Sequence, residues 1–134
     1  MKPELEAQIL ARWPGWFYRA TADDGAPVPF AFEHGDGWYD LLVRTFECME
    51  PHVAARDLEL VAHHTRYTIY TVTQKFGGLW IVSMPTSPQI VNRLLLARDL
   101  SLEICELCGA PAKLRTEYCQ TLCAICWIGR ESRG

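Results

Sequence analysis

The feature that most constrains this chain is its cysteine-dense end. Residues 105–126, CELCGAPAKLRTEYCQTLCAIC, hold five of the six cysteines in the sequence. Cys105-Glu-Leu-Cys108-Gly109 is a zinc-knuckle sequence. Two residues between the thiols let both sulfurs face one ion, and a glycine after them removes the Cβ where the chain turns away. A second Cys-x-x-Cys pair, Cys123 and Cys126, follows. The two pairs predict a tetrahedral four-thiolate site made by Cys105, Cys108, Cys123 and Cys126, with a short hairpin between them, in the manner of a zinc ribbon. A closed set of four thiolates leaves no position for water, so the Zn2+ is expected to be structural. Four thiolates also suit iron, but the paired-knuckle spacing favours zinc. Cys119, the fifth thiol of the cluster, and Cys48 are both expected to be small buried hydrophobes.

The rest of the 134-residue chain is long enough to bury a core of its own. Helical spacing over residues 4–12 ends at Pro14-Gly15. Residues 19–37, rich in Asp, Gly and Pro, read as a long connection in which Phe30 and Phe32 form a brief strand or pin the loop to the core. Trp38, Leu41, Leu42, Thr45, Phe46, Met49 and Val53 follow the i, i+3, i+4, i+7 rule and predict a helix over 38–56. Asp36 is its expected N-cap, and Pro51 is expected to kink it or start a new turn. TRYTIYTVTQKF (65–76) and LWIVSM, joined at Gly77-Gly78, predict an antiparallel hairpin. Thr86 as cap, Gln89 and the tolerated Pro88 then open a helix over 87–102. The expected fold is α+β: a short antiparallel sheet built on a hairpin at 66–84, flanked by helices, with a C-terminal zinc ribbon. A body at 1–103 would carry the ribbon module, 104–128, packed on it, and 129–134 would be a tail.

Charge limits the partners. The net charge is −3, and neither the first 104 residues nor the last 30 make a basic patch. Affinity won by neutralising many phosphates is therefore disfavoured, although Lys113, Arg115, Arg130 and Arg133 lie near the ribbon and can touch a phosphate. The opening residues lack the apolar core of a signal peptide, and no run is long enough to cross a bilayer, so a cytoplasmic protein is expected. In that compartment clustered cysteines read as metal ligands before disulfides.

Three motifs resemble those of small proteins of tailed phages and prophages. They are Gly35-Asp36-Gly37-Trp38-Tyr39-Asp40-Leu41-Leu42, Lys75-Phe76-Gly77-Gly78-Leu79, and Cys105–Pro111 closed by Thr121-Leu122-Cys123. The resemblance runs from about residue 35 to 126. In such proteins the last ligand is often His, a place taken here by Cys126, which serves zinc equally well. The resemblance implies a phage or prophage accessory protein, active in the cytoplasm of a bacterial host, of the kind that binds and redirects or inhibits a host complex.

Other candidates are weaker. His63 and His64 are adjacent and cannot easily share a metal, even with His52 in reach. Glu47 and Glu50 read as a solvated helix face. No nucleophile–base spacing, metalloprotease motif or phosphate loop is present, so no enzymatic activity is expected. Trp13, Trp16 and Phe17 either pack on the helix at 38–56 or anchor a partner. Together these features point to a non-enzymatic, zinc-stabilised protein that binds a host or phage protein complex, with inhibition of a bacterial defence system as one outcome. A nucleic-acid-binding zinc-ribbon module is the alternative.

Overall fold

In a computed structural model, which describes residues 1–133, the chain is α+β. Helix α1 (Pro3–Arg12) leads to two short strands, β1 (Ala20–Thr21) and β2 (Pro27–Val28), which pair with each other. Strand β3 (Phe32–Glu33) and a 3-10 turn at Asp36–Trp38 precede the long helix α2 (Tyr39–Glu59). The hairpin follows as β4 (Thr68–Lys75) and β5 (Gly78–Met84), then helix α3 (Pro88–Ser101). The cysteine module contributes β6 (Lys113–Arg115), β7 (Gln120–Leu122) and helix α4 (Ala124–Arg133). The last helix covers 129–133, which the sequence reads as a tail.

The main sheet has the order β3-β4-β5 and is mixed, not purely antiparallel: β4 and β5 form the hairpin, but β3 runs parallel to β4. So Phe32 both forms a brief strand and pins the connection, being buried in the core. The hairpin turn falls at Phe76-Gly77, one residue before the expected glycine pair. Both residues have positive φ (54° and 87°), as a two-residue turn matched to the twist of its strands requires.

Helix α2 supplies the centre of the core with Leu42, Phe46 and Met49, all fully buried. It runs on through Pro51 without ending. Pro51 is exposed, so the carbonyl it leaves without an N–H partner faces water. Trp13 and Phe17 are buried and Trp16 half-buried. Trp13, Trp16 and Phe17 all pack edge-on around Phe46, with centroids 5.3–5.9 Å away, so this aromatic stretch is core and not a surface anchor. Glu47 and Glu50 bind α1 to α2: Arg12 reaches Glu47 at 2.9 Å, and Trp13 Nε1 donates to Glu50 at 2.8 Å.

Two helix starts differ from expectation by a residue or two. Ser87, not Thr86, caps α3, its hydroxyl accepting from the Ile90 N–H at 3.3 Å, with Pro88 at the first helical position. Asp36 does not cap α2. Its carboxylate instead accepts from the Lys2 N–H at 2.7 Å. Cys48 is exposed on α2, not buried. Helix α3 buries Ile90, Ala97 and Ser101, while Val91, Leu95, Leu96 and Leu100 stay largely exposed.

Candidate metal centre

The four cysteines singled out by spacing come together. The sulfurs of Cys105, Cys108, Cys123 and Cys126 all lie within 4.8 Å of one another, and Cys108 and Cys123 are 3.6 Å apart. A tetrahedral Zn2+ with Zn–S bonds of about 2.3 Å needs sulfurs about 3.8 Å apart, so this donor set fits the ion. Cys105 and Cys108 sit on the first knuckle, where Cys105 N–H donates to Ala110 O (2.8 Å) and Gly109 N–H to Cys105 O (2.9 Å). Gly109 has φ +83°, the turn that its position predicts. Cys123 links β7 to α4 and Cys126 lies in the first turn of α4, so the second knuckle is a strand-to-helix corner.

The thiols are prepared for a cation. The Cys126 N–H points at the Cys123 sulfur (3.4 Å) and, with the neighbouring thiols, brings Cys123 down to about 7. Cys126 is pushed the other way, to about 12, by burial and by sharing the site with Cys123, Cys108 and Cys105. The Cys123 thiolate forms readily, while Cys108 and Cys126 are both raised and resist ionisation until a divalent ion compensates their charge. Cys119 stays outside the cluster. It is exposed in the β6–β7 turn with φ +47°, so it is not the buried hydrophobe expected.

The three motifs of the sequence converge here. Gly35 and Gly37 lie against the first knuckle, where Gly37 N–H donates to Glu106 O at 2.7 Å and Gly35 N–H to the Glu106 carboxylate at 3.1 Å. A Cβ on Gly37 would run into Cys105 O and come within 2.6 Å of Gly109 N. Trp38, fully buried, donates from Nε1 to Ile104 O at 2.9 Å. On the other flank Thr121, buried in β7, donates to Gly77 O at 2.8 Å, and Gln74 donates to Cys119 O at 2.6 Å. Both clamps grip the module at its knuckle and its hairpin. Trp127 belongs to the module's own small core. It packs with Cys105, Leu122 and Cys123, under the Arg115 guanidinium at 4.2 Å.

Two buried polar groups in this contact escape the sequence. Glu106, inside the knuckle, is raised by burial, although the Gly35 N–H and Gln120 amide favour its charge. His34 is 6% exposed; burial brings it down to about 4, and its Nδ1 lies 2.8 Å from Gly35 O while Nε2 has no partner. The histidine is therefore the neutral Nδ1–H tautomer. Of the basic residues considered for a phosphate, Arg115 is engaged with Trp127 and with Leu122 O (3.2 Å), and Arg130 stacks on Tyr118 at 4.3 Å. Lys113 is exposed. His63 and His64 are exposed, and among the described residues the four cysteines are the one group placed to hold a metal.

Fold and site together define a small α+β domain with a four-cysteine, zinc-type cluster clamped between the start of its main helix and the tip of its hairpin. No family model, curated protein or solved structure matches this chain. No helix is long and apolar enough to cross a membrane.

Proposed function

We propose that this is a non-enzymatic, zinc-stabilised interaction protein of the phage accessory kind, which binds a protein complex of the bacterial host or of the phage. Inhibition of a bacterial defence system is one outcome such binding would allow. The observation that carries the reading is the surface α4 offers beside the closed cysteine site. Ile125 is 82% exposed and Ile128 60% exposed, and Leu107, Tyr118, Ile125, Arg130 and Arg133 border a groove of about 540 Å3. Large aliphatic side chains on a metal-stiffened helix suit a protein partner, because the zinc fixes their geometry before contact.

The experiment is affinity capture of the tagged protein from bacterial lysate, with nuclease, at moderate and high salt, alongside Ile125→Asp. A defined protein complex retained by the wild type and lost by the variant supports the proposal. Retention of nucleic acid alone, released at high salt, favours the alternative in which Arg130, Arg133 and Lys113 contact phosphates.

A further inference from the structure

The three-stranded sheet leaves one long edge, and that edge is β5. It pairs with β4 on one side, while the opposite edge of the sheet is the two-residue strand β3. Protein edges are ordinarily blunted by charges, prolines or bulges. The sequence of β5, Gly-Leu-Trp-Ile-Val-Ser-Met, has no charged residue and no proline, and its pairing irregularity lies in β4, between Ile69 and Thr71.

The direction of its backbone groups follows from one contact. Leu79 N–H donates to Ser101 Oγ on α3 at 2.8 Å, so residue 79 points its polar groups away from β4. Antiparallel strands alternate strictly, so Ile81 and Ser83 also turn N–H and C=O to the open edge. Ser101 covers the first of these three positions and leaves the other two. The edge lies along an apolar groove of about 290 Å3 lined by Trp80, Val82, Val91, Leu94 and Leu95. Trp80, Val82 and Met84 share the outer face of the strand and are 38%, 41% and 64% exposed.

We propose that β5 is the interface with a second copy of this chain, joined two-fold and antiparallel through Val82 into one continuous sheet. In this register Ile81 faces Ser83 of the other copy, and Ser83 faces its Ile81. The two pairs form four backbone hydrogen bonds from the groups that are free. Leu79, already bonded to Ser101, falls opposite Pro85, which has no N–H to offer. On the outer face Val82 meets Val82, and each Trp80, with Lys75 over its ring at 5.0 Å, meets a Met84 sulfur. Val91 and Leu95 of both α3 helices close the groove from the side. No residue of β5 brings a like charge across the axis, so the strand is complementary to itself.

The test is the mass of the zinc-loaded protein by light scattering and sedimentation from micromolar to near-millimolar concentration. The wild type is expected at twice the 15.3 kDa chain mass. Val82→Arg, which sets two charges face to face on an already exposed position, is expected to be monomeric with unchanged zinc content and circular dichroism. A register test uses Cys48→Ser/Cys119→Ser as background. Directly opposed non-hydrogen-bonded residues have Cα atoms about 4.5 Å apart, inside the disulfide range, so Val82→Cys should crosslink with oxidised glutathione while Thr71→Cys should not. A wild type that stays monomeric throughout, including one that gains mass only with a different protein, overturns the proposal. So does a dimer that survives Val82→Arg.

Discussion

Gly37 and Gly25 make opposite demands on a side chain. Gly25 has φ +84° with nothing within 4 Å of an added Cβ, so alanine there meets only backbone strain, about 1 kcal/mol. Gly37 has no such φ but abuts the knuckle backbone, which cannot swing aside. Gly37→Ala should therefore cost more, about 2–3 kcal/mol, and denaturant titration of the two variants would rank them. At the cysteines, Cys123→Ser should lose bound zinc and Cys119→Ser should retain a full equivalent, read by metal analysis of the purified proteins. A Cys119→Ser protein without zinc would sink the ligand assignment. His34 adds a pH dependence. Its folded pKa of about 4 lies below the usual 6.5, so the unfolded chain takes up the proton first. Its contribution is intact above pH 6.5 and is lost as pH falls from 6.5 towards 4, to a limit of about 3 kcal/mol. Glu106, whose pKa is raised, works in the other direction as it protonates. Comparing unfolding of wild type and His34→Asn at pH 7 and pH 5 isolates the histidine; equal losses in both would refute its role.

Among the elements, α3 begins on one hydroxyl. Ser87→Ala should lower stability by about 1 kcal/mol, whereas Thr86→Ala should change it little, and thermal unfolding distinguishes them. The sequence placed this cap one residue early because Thr86 and Ser87 are both competent caps, and the choice depends on where the chain leaves β5. The α2 stripe and the β4–β5 hairpin were legible because periodicity and β-branched residues report burial locally. The parallel pairing of β3 was not legible. Two residues are too few to show a period, and their partner lies about 40 positions along the chain. Nor did the sequence reveal that α4 continues past Cys126. A helix start was hidden there by residues already accounted for as ligands.

For the whole molecule, the clustering of Cys105, Cys108, Cys123 and Cys126 was readable from spacing alone, but the seat of the cluster was not. Gly35 and Gly37 looked like punctuation before a helix, and their close approach to Cys105 and Gly109 is a tertiary fact that no local pattern carries. The burial of Glu106 and Thr121 is a tertiary fact of the same kind. Because Trp38 and Gly77 grip the cysteine module from two flanks, metal removal should be felt far from the thiols. A chelator should withdraw apparent stabilisation on the order of 10 kcal/mol and shift the Trp38 indole N–H resonance, whereas Trp13, bonded to Glu50, should move less. Equal shifts at both, or none at either, would contradict a clamp localised at Ile104. The same clamp sets an order of events during synthesis. Residues 35–38 and 77 leave the ribosome long before Cys123 and Cys126, so the early part of the chain waits with its glycines and Trp38 unpartnered until the cysteine segment has emerged. Completion of the body is thus expected to follow metal supply, and a chain cut short before Cys126 is expected to forfeit both the site and the contacts around it.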